Sequence, residues 1–165
     1  MQSIKRVFSG DLPISLSFVV ALILSSNVSV PFYPVPFTLQ TMMVMLAILY
    51  KKNVAFQATL MYVVLGAVGL PVFADFSAGA HILVGPTGGY LIGFVLATFL
   101  IKHFAIQSKI LGLVLFNVIL FTCGVLQLSA FVGINNAIHG GFIMFILPEL
   151  AKTIFAFIIY KFINK

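Results

Sequence analysis

Long apolar blocks alternate with short polar, proline-rich or glycine-rich breaks along this chain. Six blocks can be drawn, at residues 12–29, 38–50, 54–70, 88–102, 110–132 and 142–160. About 20 apolar residues cross a bilayer as a helix. The pattern therefore predicts an all-α integral membrane protein of six transmembrane helices, with residues 1–165 forming a single domain. Block 38–50 is short, so its ends must be covered by protein, because bare backbone is not tolerated in lipid.

The breaks differ in kind. Residues 30–37 read VPFYPVPF, and Pro31, Pro34 and Pro36 forbid continuous helix there. An extended loop is expected, with aromatic and aliphatic side chains suited to cover an apolar pocket. Pro71 ends the third block, and the longest loop follows over 72–87, with Phe73, Asp75, Phe76 and His81. Thr87 is an expected N-cap for the fourth helix, and Gly88 and Gly89 either leave backbone N–H groups open to a ligand or serve only as a structural helix start. A loop is also expected over 133–141, with Asn135, Asn136 and His139.

Composition turns the membrane reading from possible to required. Hydrophobic residues make up 62% of the chain and charged residues 7%, with mean hydropathy +1.21. Soluble domains carry about 25% charged residues. The +6 net charge does not point to nucleic acid, because the basic residues never form a long patch. They mark topology. Lys5 and Arg6, Lys51 and Lys52, Lys102 and Lys109, and Lys161 and Lys165 all fall on one side of a six-span arrangement. The other side has none. This bias puts both termini in the cytoplasm and the long loops outside. The start of the chain resembles a signal peptide, with a basic lead and small residues at Ser25, Ser26 and Ser29. The charge count is better satisfied if it is retained.

One stretch stands out chemically. Glu149 and Lys152 interrupt the apolar block 142–160. Each charge near a bilayer centre costs roughly 2.5–3.5 kcal/mol, and at i,i+3 the two share a helical face. They belong in the protein interior or a wet cavity, about 10 and 15 Å below the outer end of the helix. Two readings stand: the polar floor of a ligand site, or an ion pair that locks helices together. On the first block, Ser17, Ala21 and Ser25 form a small-xxx-small ridge for close approach of another helix.

Other chemistry is missing from the sequence. No paired carboxylates, HExxH, GxSxG or nucleotide loop occurs, His81, His103 and His139 lack ligand spacing, and Cys123 reads as a core residue. No enzyme, cofactor or metal is expected. With no ATP-binding domain, active transport would need another subunit.

The motifs Val35-Pro36-Phe37-Thr38-Leu39-Gln40-Thr41, Gly69-Leu70-Pro71-Val72-Phe73-Ala74 and Gly85-Pro86-Thr87-Gly88-Gly89-Tyr90-Leu91 occur in that order. With the late acidic-x-x-Lys, they resemble the BioY family, the biotin-specific S components of energy-coupling factor (ECF) transporters. The resemblance runs from about residue 12 to 160. It implies six helices with cytoplasmic termini in a bacterial plasma membrane, and capture of biotin from outside. Its implied partners are a transmembrane coupling T subunit and two ATP-hydrolysing subunits, which some members are thought to do without. Ser17, Ala21 and Ser25 match the family's T-subunit contact. By the same resemblance Glu149 and Lys152 take the ureido head, Glu149 accepting from N–H and Lys152 donating to C=O; the rival pose puts the ligand carboxylate on Lys152. Thr38, Gln40, Thr87, Gly88, Gly89 and Tyr90 would line the upper pocket, and Phe37 and Phe73 would cover the apolar ring and chain. Two departures stand out: Glu149 replaces the family's usual Asp, and residues 75–81 replace its Gly-rich loop. The same fold could serve another small vitamin, and a purely structural subunit would need only the lock.

Overall fold

Proline and glycine cut the apolar sequence into helices of unequal length. The structure, a computed structural model, describes residues 2–104 and 106–164, with side chains described from residue 11 onward in those ranges. Lys165 lies outside the described residues.

Helix α1 (Gln2–Asn27) takes in the polar lead as well as the first apolar block. Two short strands, β1 (Ser29–Val30) and β2 (Phe37–Thr38), pair antiparallel with Ser29 opposite Thr38. They close the proline loop at its base. Helix α2 (Gln40–Tyr50) follows and rises only about 16 Å, short of the roughly 30 Å hydrocarbon layer. Lys51 is extended, and α3 (Lys52–Ala67) starts at the next residue. The long loop holds a 3-10 turn (Ala74–Phe76) and α4 (Ala80–Leu83). Then come α5 (Gly88–His103) and α6 (Lys109–Val132), the latter capped by Ser108, whose hydroxyl accepts from the Leu111 N–H at 3.3 Å.

Of residues 133–141, expected as a loop, all but Gly133 are helical instead. Gly133 turns the chain with φ 80°. Helix α7 (Ile134–Ile138), a π turn (His139–Ile143) and α8 (Met144–Ile163) then run on as one rod. The wide turn falls on Gly140–Gly141, and Tyr90 Oη donates to the Gly141 carbonyl at 2.8 Å. Two stretches, Lys109–Val132 and Ile134–Ile163, are long and apolar enough to cross a membrane by length and composition.

Small residues decide which helices touch. On α5, Gly89 and Gly93 stand one turn apart and face the α6 backbone at Cys123 and Leu120. Buried polar side chains find one another elsewhere: Thr59 on α3 with Thr98 on α5 at 2.9 Å, and Ser15 on α1 donating to Gln57 on α3 at 2.9 Å. Tyr62, Phe73 and Phe116 are the largest fully buried side chains. The Phe73 ring lies over Gly66, where a Cβ would collide with it. Ser26 donates to the Val72 carbonyl at 2.9 Å, and the Phe76 N–H bonds Asn27 Oδ1 at 2.9 Å. The long loop is thus pinned to the end of α1.

Candidate ligand cavity

The start of α2 and the first third of α8 pack side by side. This places Thr38 and Thr41 against Glu149 and Lys152. Glu149 Oε1 pairs with Lys152 Nζ and accepts from Thr41 Oγ1 at 3.0 Å. Lys152 Nζ also donates to the Thr38 carbonyl at 3.0 Å and to Thr41 Oγ1 at 2.8 Å. All three ammonium donors therefore have partners. The carboxylate is only half satisfied. Glu149 is 4% exposed, and its Oε2 is buried with no hydrogen-bond partner. An unpartnered buried acceptor costs about 1–3 kcal/mol, and more when charged. The cost is recovered when a donor arrives.

That carboxylate lies in the wall of a cavity with about 690 Å³ of space free of protein atoms, part of it open to solvent. Val35 and Pro36 come from the proline loop; Phe73, Ala74 and Ser77 come from the long loop. Tyr90, Leu91 and Phe94 of α5 face Leu120 and Phe121 of α6 and Phe145 of α8. The wall is mostly apolar, with a few converging polar groups, the usual make-up of a small-molecule site.

Among the residues singled out from sequence, Glu149, Lys152, Thr38, Gln40, Phe73, Thr87 and Tyr90 line this cavity together. Three stand behind its wall. Phe37 stacks on Phe145 at 4.2 Å between ring centroids and supports that ring. Gly88 and Gly89 are buried against α4 and α6. The Gly88 N–H bonds the Gly85 carbonyl at 3.1 Å and is not open to a ligand. Thr87 occupies the N-cap position, but its side chain makes no cap hydrogen bond.

Some residues in and behind the cavity wall carried no sequence signal of their own. Thr41 bridges the ion pair, and only its place one turn after Thr38 hints at it. Gln127 donates to the Leu83 and Gly85 carbonyls at 2.8 and 2.7 Å and so holds the turn before α5. A lone amide in an apolar block needs a partner, but sequence does not say which.

The small-residue ridge on α1 divides. Ser17 is exposed and Ala21 half-buried, whereas Ser25 is buried, with its hydroxyl on the Leu22 carbonyl at 3.1 Å. The reason is geometric: eight residues rotate a helix face by about 80°. The exposed stripe of α1 runs instead through Leu16, Ser17, Val20 and Leu24.

The family model of the BioY family matches residues 2–165. A relative named biotin transporter BioY, from Thermotoga maritima, is 41% identical over 153 residues, covering 86% of this chain and 88% of the relative. A probable biotin transporter BioY from Pyrococcus horikoshii is 38% identical over 143 residues, with the same coverage of 86% and 88%. The fold matches a crystal structure of the S-component for biotin from an ECF-type ABC transporter, with TM-score 0.75 and 24% identity. The match covers 99% of this chain and 92% of that one. By sequence along nearly its whole length, the chain belongs to the BioY family.

Proposed function

We propose that this chain is the biotin-capturing S component of an energy-coupling factor transporter, a membrane subunit and not an enzyme. The observation that carries this reading is Glu149 Oε2, a buried acceptor without a donor in the wall of a mostly apolar cavity. Biotin's ureido ring supplies N–H donors, and hydrogen bonds to charged groups are worth about 1.5–3 kcal/mol. Because the ammonium donors of Lys152 are already engaged, its role toward the ligand is to hold Glu149 in place and to trade the Thr41 contact for the ureido C=O. The apolar wall, Phe73, Phe94 and Phe145 among it, suits the thioether ring and aliphatic chain.

The rest of the proposal concerns orientation. Lys51, Lys52, Lys102 and Lys109 share one end of the bundle, and Lys161 ends α8 beside Phe157. The cavity sits among the loops of the other end, which carry no Lys or Arg. The positive end faces the cytoplasm of a bacterial cell. Six spans follow, with α2 shielded by its neighbours and both termini inside the plasma membrane's cytoplasmic face. A transmembrane T subunit and two ATP-hydrolysing subunits would supply energy, with the Leu16–Ser17–Val20–Leu24 stripe of α1 as the contact.

The test is a melting shift of the purified protein with biotin. Ligand at about 100 times its dissociation constant adds about 2.7 kcal/mol to the native state. The Glu149→Gln variant keeps an acceptor for Thr41 and Lys152 but offers an amide N–H where Oε2 stood. It leaves Lys152 without its anion, so it should melt below the wild type, and biotin should not raise that lower melting temperature. No shift in folded wild-type protein would overturn the biotin assignment. A full shift in Glu149→Gln would overturn the head-group pose. The same shift with other vitamins in a competition panel would transfer the fold to another ligand.

A further inference from the structure

The end of the bundle opposite the cavity holds a second cleft with different chemistry. Its floor is apolar, made by Ile48 and Leu49 of α2, Ile101 of α5 and Gly112 of α6. Its rim carries Lys51, Lys52, Lys102 and Lys109, with the side chains of Asn53 and Ser108 between them. Lys51 and Lys52 come from the junction of α2 and α3, Lys102 from the last turn of α5 and Lys109 from the start of α6, and the fold brings them to one mouth.

These charges are poorly compensated. Lys51 Nζ meets Asp11 Oδ1 at 2.6 Å. The chain has only three acidic side chains, and the other two lie elsewhere: Glu149 in the ligand cavity and Asp75 beside Ser29. Lys102 Nζ sits 4.7 Å from the centre of the Phe56 ring, and Lys109 Nζ sits 3.6 Å from that of Tyr160. Among the described residues, Lys52, Lys102 and Lys109 have no carboxylate partner. Helix α6 points its N-terminus at the same mouth, which adds partial positive charge.

We propose that this cleft binds the headgroup of an anionic phospholipid. The phosphate would lie among Lys52, Lys102 and Lys109, and the glycerol backbone and first methylenes would cover the apolar floor. Free phosphate would use the rim but leave the exposed Tyr50 and half-buried Ile106 of the cleft uncovered. Basic pockets between transmembrane helices near the cytoplasmic surface hold such headgroups. The inference rests on the membrane placement of the chain and is independent of which ligand the other cavity takes.

The experiment uses the full chain in nanodiscs of phosphatidylcholine with increasing phosphatidylglycerol. Phosphatidylglycerol should raise the melting temperature and phosphatidylcholine alone should not. Each lysine near a membrane surface contributes about 1 kcal/mol, or roughly fivefold in affinity. The Lys52→Gln/Lys102→Gln/Lys109→Gln variant should therefore lose the preference for phosphatidylglycerol, and the matching Lys→Arg variant should keep it. Inorganic phosphate added to pure phosphatidylcholine discs should leave the melting temperature unchanged. Equal melting in both lipids, a preference that survives the Lys→Gln changes, or a shift reproduced by inorganic phosphate would each overturn the proposal. The first two outcomes would leave the lysines for an acidic protein partner.

Discussion

Helix α6 has two sides that were built differently. Toward α5 it is closed along its length: Gly89 and Gly93 bring the α5 backbone against Cys123 and Leu120, and Gly124 lies beneath the Tyr90 ring. Toward α8 it is open. Val114, Val118 and Val125 face Phe142, Ile146 and Leu150 across a groove, at whose floor lie Asn117, Thr153 and Glu149. Helix α8 packs on α2 instead. The difference teaches how one membrane fold separates a fixed wall from a responsive one. The closed seam holds the Thr87 and Tyr90 end of the cavity in place. The open side leaves α8, which carries Glu149 and Lys152, tied to α6 at its outer end, through α7, the Phe121–Phe142 contact and the buried cluster of Phe121, Leu128 and Phe145, and further along by a 3.5 Å approach of Asn117 Nδ2 to Thr153 Oγ1.

The comparison can be broken most strongly at the floor of the open side. Lys152→Ala leaves Glu149 buried without its cation, and breaking one partner of a buried pair costs about 3–5 kcal/mol. Melting should fall sharply and biotin binding should be lost. The double variant Glu149→Gln/Lys152→Met, which removes both charges at similar volume, should recover most of the stability and none of the binding. If it also bound biotin, the polar floor would have no part in recognition.

Next comes the closed seam. A side chain at Gly89 would strike the Cys123 carbonyl and come within 2.8 Å of Gln127 Cβ. Gly89→Leu should cost about 3 kcal/mol, the upper end for overpacking, and size-exclusion profiles should show loss of monodisperse protein. On the open side the same kind of change is mild. Leu150 is 55% exposed, so Leu150→Ala should cost less than the roughly 2–5 kcal/mol of a fully buried leucine, read as a shift of a few degrees at most. A large loss there would mean that the groove is closed in the folded protein.

The smallest effect sharpens the loop that roofs the cavity. Asp75 and Phe76 adopt φ of 55° and 54°, the left-handed region that glycine takes without penalty and other residues take at about 1–2 kcal/mol. These are positions in the segment 75–81, where the family resemblance leads one to expect a Gly-rich loop. Phe76 is 69% exposed and gives up little packing, so Phe76→Gly should stabilise the protein by up to about 1 kcal/mol. A fall in melting temperature would mean that the ring packs on something the isolated chain lacks.

Parts of this were legible before any coordinates. A carboxylate and an ammonium in an apolar block are costly enough to announce themselves, which is why Glu149 and Lys152 could be named from sequence. Glycine could not be read so simply. Gly88 and Gly89 have two uses, open backbone donors or close helix contact, and only the position of α6 decides between them. Ser17 and Ser25 fit one ridge on a short repeat, but rotation of about 100° per residue carries Ser25 into the interior. Thr41, Gln127 and Phe145 look ordinary in the sequence; their importance arises from what stands opposite.

The sequence by itself determined that the chain belongs in a membrane, because 7% charged residues cannot cover a water-soluble surface. It also marked the breaks at residues 31–36 and at Pro71, since proline lacks the N–H, but not all of them: Pro13 and Pro148 lie inside α1 and α8. The tertiary structure alone decided which polar atoms would be satisfied. Thr38 and Thr41 are far from Glu149 and Lys152 in the chain, and the hydrogen bonds between the two pairs exist only once α2 lies on α8. The acceptor left over in the cavity wall, Glu149 Oε2, is a property of that packing.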